Sequence, residues 1–125
     1  MTTAFWCVLV AALLPYLAVG IAKAGPDYDN RTPRAWARTL EGRRARAYAA
    51  HQNGLEAFPF FAAGVVIATI ADAPPNLVDL LSAVFVAARI VYLYAYVADR
   101  PTLRSVVWIL GIACVVGLFI APLAV

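Results

Sequence analysis

Residues 43–71 read RRARAYAAHQNGLEAFPFFAAGVVIATIA, and this stretch decides the fold. Its first half is basic and polar, with Arg43, Arg44, Arg46, His51, Gln52, Asn53 and Glu56, whereas nothing from Phe58 to Ala71 carries a charge. A bilayer core takes about 20 apolar residues at about 1.5 Å of rise each, so the pattern predicts one long helix that begins in or near water and ends in lipid. Residues 4–23, 77–98 and 103–124 are further apolar runs of spanning length, separated by clusters of Gly, Pro, Asp and Asn. The short connectors after the second and third runs make neighbouring helices antiparallel. The predicted fold is therefore all-α, an integral membrane, antiparallel four-helix bundle forming one domain over residues 1–125, with a basic connector at 24–42.

Composition agrees with that reading. The chain has 125 residues, 64% of them hydrophobic and 14% charged, against about 25% charged in soluble domains. Disorder, a nucleic-acid-binding tail and an ordinary soluble enzyme are excluded, and no nucleic-acid partner is expected. No basic residue precedes the first run, which predicts a retained span rather than a cleaved signal. Cys7 and Cys114 each lie within an apolar run, without His or carboxylate neighbours, and read as small core- or lipid-facing residues. No metal site is expected.

Charge placement gives an orientation. Every Lys and Arg except Arg89 falls in or beside the first and third connectors, while the second connector and both termini have none. The positive-inside rule then places the first and third connectors in the cytoplasm and both termini on the opposite side. Within the first connector, Thr32 and Pro33 suit the start of a short helix reaching Glu41. Trp36 would anchor it in the headgroup layer; a plain basic loop is the alternative.

Arg89 lies about 14 Å inside the third run at the helical rise, where a charge costs about 2.5–3.5 kcal/mol and normally faces the bundle interior. Tyr92 and Tyr96 follow it at i+3 and i+7 on one face, and Arg46, Asn53 and Glu56 share a face of the second helix. Glu56, at the lipid boundary, needs a partner, and Arg89 is the expected one. One interpretation is an ion-pair network of Glu56, Asn53, Arg89 and Arg104 that fixes bundle register. The other is a cationic pocket open to the cytoplasm. In it Arg46, Arg89 and Arg104 would bind a small polar anion, and Tyr92, Tyr96 and Ser105 would supply hydroxyls. His51 points away from Arg46 and Asn53 and reads as an interfacial or intersubunit hydrogen-bonder rather than a general base. A channel fits less well, because Val65 to Ile70 and Val115 to Ile120 leave half of the bundle almost without polar groups.

The run 46–60, RAYAAHQNGLEAFPF, resembles the second-helix signature of the membrane-associated proteins in eicosanoid and glutathione metabolism, the MAPEG family. The likeness continues through Arg89, Tyr96 and Leu103-Arg104-Ser105-Val106. It implies a homotrimer of four-helix subunits with glutathione as co-substrate between neighbours near the cytoplasmic face. Arg46, Asn53, Glu56, Arg89, Tyr92 and Tyr96 would bind the thiol, and Arg104 and Ser105 would be catalytic. A guanidinium at Arg104 fits that role, since a cation beside sulfur favours the thiolate. The nucleophile would belong to glutathione, not to Cys7 or Cys114. The implied activity is a membrane-bound glutathione-dependent transferase or peroxidase acting on lipophilic electrophiles that arrive from the lipid. The alternative is a non-catalytic member that binds lipid or organises partners. Gln52 and Ala49 stand where eukaryotic members often carry cations. Tyr92 and Trp108 replace the His and Tyr of the prostaglandin synthase branch, so the likeness points to the smaller branch of the family.

Overall fold

The computed structural model describes residues 1–124, and Val125, at the end of the expected domain, lies outside the described residues. The elements in order are α1 (Thr3–Ala22), α2 (Pro33–Ala37), α3 (Gly42–Ile70), α4 (Pro75–Val97) and α5 (Pro101–Ile120), followed by a 3-10 turn at Ala121–Ala124. There is no strand among the described residues. All the helices except the short α2 are long and apolar enough to cross a membrane. With 29 residues, α3 is about 43 Å long at about 1.5 Å per residue, more than a hydrocarbon core of about 30 Å accommodates. Its basic opening turns therefore extend beyond the apolar layer.

Prolines set where α2, α4 and α5 begin. Pro33, Pro75 and Pro101 each occupy the first helical position, where the missing N–H costs nothing. This starts α4 and α5 two residues earlier than their apolar runs suggest. The ends of α3 and α4 share one device. Asp72 and Asp99 adopt left-handed backbone, with φ of 57° and 56°. Around them Ala73 N–H bonds to Ala68 C=O and Arg100 N–H to Ala95 C=O at 3.0 and 2.7 Å, the pattern of a Schellman cap.

The helices alternate in direction. At the basic end, Arg44 of α3 reaches the last carbonyl of α1, and Arg46 of α3 reaches Val97 of α4. At the other end, the Asp79 carboxylate of α4 accepts the Ala4 N–H of α1 at 2.8 Å, across 75 positions of sequence. It caps α1 together with Thr2, whose hydroxyl accepts from Phe5 N–H. The packing partners are α1 on α3 and α4 on α5, with α4 also against α1 and α3. Near the termini the core is built on Phe61 and Phe85, stacked at 4.0 Å, with Val65, Cys114 and Leu118 around them. Toward the basic end it consists of smaller groups, Ala18, Ala50, Ala88 and Val107, together with Tyr92. Gly54 permits the tightest helix contact: a Cβ there would lie 2.9 Å from the Pro15 ring. Large apolar side chains such as Leu13, Leu17, Ile109 and Ile120 face outward, as lipid exposure allows.

The first connector differs from expectation in two respects. The short helix stops at Ala37, not Glu41, because the Thr39 hydroxyl bonds to Trp36 C=O at 2.7 Å and turns the chain. Gly42, at φ +59°, then leads into α3. Trp36 is not an anchor reaching into the headgroups. It is buried against Ala22 and Ala47, edge-on to Tyr28 at 4.8 Å, because five residues of helix offer too little face to lie on a bilayer while the indole can cover two helix ends. Arg44 holds this arrangement together. It donates from Nε to Ala22 C=O at 2.8 Å, pairs through both terminal nitrogens with Asp27, and lies over the Trp36 ring.

Candidate functional site

The site forms where α4 and α5 meet at the basic end of the bundle. Arg89 points inward and is 9% exposed. Its guanidinium carbon sits 4.2 Å over the ring of Tyr92, one turn further along α4. Tyr92 meets Tyr96 edge-to-face at 5.7 Å, and Arg104, in the first turns of α5, lies 4.4 Å over Tyr96. The result is a ladder of guanidinium, phenol, phenol and guanidinium running from the bundle interior to its basic end. Each rung follows from helix periodicity, since positions 89, 92 and 96 share one face of α4. Beside Arg89 is a cavity of about 20 Å³ lined by Pro15, Ala50, Gly54, Phe58 and Tyr92 among others, room for roughly one water.

A guanidinium over an aromatic face gains about 2 kcal/mol when desolvated, less than the about 2.5–3.5 kcal/mol that a charge costs at mid-bilayer. The rings therefore hold the two cations without neutralising them. Glu56, expected to pair with Arg89, does not. The only ion pair among the described residues is Arg44 with Asp27, and Glu56 is exposed. The reason is angular. The buried face of α3 runs through Ala47, Ala50, Phe61, Gly64 and Ala68, and Glu56, six positions after Ala50, is rotated well off it. The network that would lock the helices in register is not formed within the chain, and Glu56 remains available at the flank.

The other sequence-selected residues divide. Asn53 is half-buried, and its side-chain oxygen, shielded from solvent, has no hydrogen-bond partner among the described residues. Ser105 is exposed next to Arg104. Arg46 is turned to the far flank of α4, where Nε and Nη2 donate to Val97 C=O at 3.3 and 3.2 Å, and the chain does not bring it to the ladder. His51 donates Nδ1–H to Pro15 C=O at 2.7 Å. That bond lies within one chain, joining α3 to α1, where an interfacial or intersubunit bond was expected.

Two structural residues escaped the sequence reading. Arg44 was only one of several connector cations, and its partner Asp27 lies 17 positions away, with no local pattern to join them. Its guanidinium hydrogen bonds hold the Asp27 carboxyl below the usual carboxylate range. Asp79 was a charge near a span end without a role. The signal was available, because an antiparallel bundle places the start of the third span beside the start of the first.

Chemically, the ladder offers two cations lacking carboxylate partners and two phenols, while α3 carries an unpartnered amide oxygen at Asn53 and an exposed carboxylate at Glu56 that make no contact with it among the described residues. That donor set matches a small molecule carrying carboxylates and an ammonium or amide N–H. No group of His, Cys, Asp and Glu suited to a metal occurs among the described residues. Both cysteines lie elsewhere, Cys114 in the core and Cys7 half-buried on α1. No curated protein and no solved structure matches the chain. The family model described as the MAPEG family matches residues 3–124, nearly the entire four-helix bundle and every residue of the ladder, and the chain belongs to that family.

Proposed function

We propose that the chain acts as a homotrimeric, membrane-bound glutathione-dependent transferase or peroxidase, with glutathione at the arginine–tyrosine ladder and the basic end of the bundle in the cytoplasm. Family membership makes it a membrane protein of the glutathione and eicosanoid metabolism group. The observation that carries the finer reading is the pair of guanidiniums at Arg89 and Arg104, both on tyrosine rings and neither within 4 Å of a carboxylate among the described residues. An anionic ligand supplies what the fold leaves out.

In this reading the glutathione carboxylates meet Arg89 and the Asn53 amide group, Glu56 takes an N–H or ammonium of the tripeptide, and Arg104 faces the sulfur. Tyr92 and Tyr96 form the wall between the two cations, and Ser105 offers a hydroxyl at the mouth. The nearby cation raises the thiolate fraction. In a transferase the thiolate sulfur forms a bond to an electrophilic carbon of the lipophilic substrate, and the leaving group departs with the electron pair of the bond that breaks. In a peroxidase two glutathione thiols reduce a hydroperoxide to alcohol and water and become the disulfide. The apolar outer face of α5, with Trp108 exposed one turn beyond Arg104, gives a substrate dissolved in lipid access to the sulfur.

Calorimetry of detergent-purified protein with glutathione tests the reading. Saturable binding that is lost in Arg89→Ala and largely retained in Arg104→Ala is the expected result. With an aryl halide as second substrate, Arg104→Ala should lower kcat by about 100-fold, the effect of deleting one preorganised charge-stabilising donor, and should weaken glutathione binding far less. Equal losses in kcat and affinity remove the catalytic role of Arg104. Absence of binding at millimolar glutathione rejects the proposal in favour of a lipid-holding member of the family.

A further inference from the structure

Arg43 and Arg46 belong to a different place. At the basic end, where α1, α3 and α4 converge, they border a groove of about 470 Å³ together with Ile21, Leu93, Tyr94 and Val97. The Arg46 guanidinium is aimed by the Val97 carbonyl, which accepts from Nε and Nη2. A carbonyl leaves the charge uncompensated, and three of the five guanidinium N–H groups remain free to bond elsewhere. Among the described residues neither Arg43 nor Arg46 has a carboxylate within 4 Å.

The groove also has an apolar continuation. Leu13 and Leu17 are 55% and 60% exposed and lead along one face of α1 to Ile21, and Ile90, 50% exposed, leads along α4 to Tyr94. Spacings of four residues keep each row on one side of its helix. Ile21 and Tyr94 both line the groove, so the two rows converge there and run together toward the middle of the bundle. Tyr94, 61% exposed, combines a ring suited to hydrocarbon with a hydroxyl suited to the headgroup level.

We propose that this groove is a binding site for an anionic glycerophospholipid. The phosphate bonds to Arg43 and to the free edge of Arg46, the Tyr94 hydroxyl marks the headgroup boundary, and an acyl chain lies along Leu13, Leu17 and Ile90. A soluble phosphate would use the two arginines but leave the apolar rows uncovered, which favours the lipid. The site differs from the proposed glutathione site in its cations, since Arg43 and Arg46 border the groove and Arg89 and Arg104 do not, and Leu93 separates the groove from the cavity beside Arg89.

The test is native mass spectrometry of the protein released from nanodiscs that contain equal amounts of phosphatidylglycerol and phosphatidylcholine. Preferential retention of one phosphatidylglycerol per chain is expected. Each basic residue near an anionic surface changes affinity by about fivefold, so Arg43→Ala should reduce the preference about fivefold and Arg43→Glu should reduce it further. Arg43 is exposed and its side chain makes no ion pair among the described residues, so these variants leave the bundle intact. Arg31→Ala and Arg38→Ala, at exposed connector positions outside the groove, should retain the full preference. Equal retention of both lipids by the native chain, or equal loss in the connector variants, overturns the proposal. Displacement of the lipid by millimolar glycerol phosphate overturns it as well, by showing a site for phosphate alone.

Discussion

Adding one methyl group at position 54 tests whether the contact between α1 and α3 sets the geometry around Arg89. In Gly54→Ala the new Cβ would stand 2.9 Å from Cγ of Pro15 and 3.4 Å from its Cβ. Carbon atoms prefer about 3.5–4.0 Å, so the helices must part by about 0.6 Å or more. A proline ring cannot swing aside as a long side chain would, and overpacking of this kind costs about 1–3 kcal/mol. Against it stands the better helix propensity of alanine, about 0.8–1 kcal/mol. The net effect on the native chain is therefore destabilisation of about 0–2 kcal/mol, which by itself discriminates poorly. The decisive measurement is the cycle with Pro15→Ala. Once the ring is gone, Gly54→Ala should stabilise the chain by close to its full propensity gain, giving a coupling of about 1–3 kcal/mol between the two positions. Reversible unfolding in mixed micelles, titrated with sodium dodecyl sulfate and followed by circular dichroism, gives the four free energies. Parting the helices also stretches the bond from His51 Nδ1 to Pro15 C=O, 2.7 Å in the native chain, so the ring N–H resonance of His51 should shift in Gly54→Ala alone. A coupling below about 0.5 kcal/mol would refute the reasoning, since independent sites add to within that margin.

The same unfolding titration tests the cap on α1: Asp79→Ala should cost about 1–2 kcal/mol, the worth of a helix cap, whereas Asp79→Asn should recover most of the loss because its amide oxygen still accepts from Ala4. Equal losses would assign the effect to charge instead of to the hydrogen bond. The Arg44–Asp27 clamp should respond to acid in one direction only. Arg44 lowers the folded-state pKa of Asp27, so the stabilisation is complete above the ordinary carboxylate value of about 3.9 and is lost as the pH falls through the lower folded value. At neutral pH the connector should resist trypsin after Arg31 and Arg34, and Asp27→Asn should speed cleavage there; an unchanged rate would show that Trp36 and Tyr28 hold the connector without the ion pair.

Four spanning helices were legible because lipid imposes a length and a polarity on each, although the apolar runs miss the first two residues of α4 and α5, which Pro75 and Pro101 open. The stripe of Arg89, Tyr92 and Tyr96 was legible for a similar reason, being a statement about one helix and its period. Pairings between helices were not. Glu56 and Arg89 suit each other in charge and depth, yet the rotation of α3 that buries Ala50 and Phe61 turns Glu56 aside, and no single-helix pattern encodes that angle. Arg46 shows the same limit, since it shares a face with Asn53 on α3 but its long side chain finds the end of α4 on the other flank. Trp36 misled because aromatic residues near basic loops often sit among headgroups, whereas here two helix ends offered a closer apolar surface.

The paired Asp72 and Asp99 reversals bear on the order in which the molecule can be completed. Each turn closes on backbone groups of the helix that precedes it, so the path of the chain from α3 into α4 and from α4 into α5 is set locally, as soon as each turn is synthesised. The first helix is provided for only in part, by Thr2 at its start and by the Lys23 N–H at its end. Its Ala4 N–H waits for Asp79, 75 positions later, and its last carbonyl waits for Arg44. During synthesis α1 precedes α3 and α4, yet one group at each of its ends, Ala4 N–H and Ala22 C=O, gains its partner only after those segments have been made. The earlier helix is finished only after α3 and α4 have arrived.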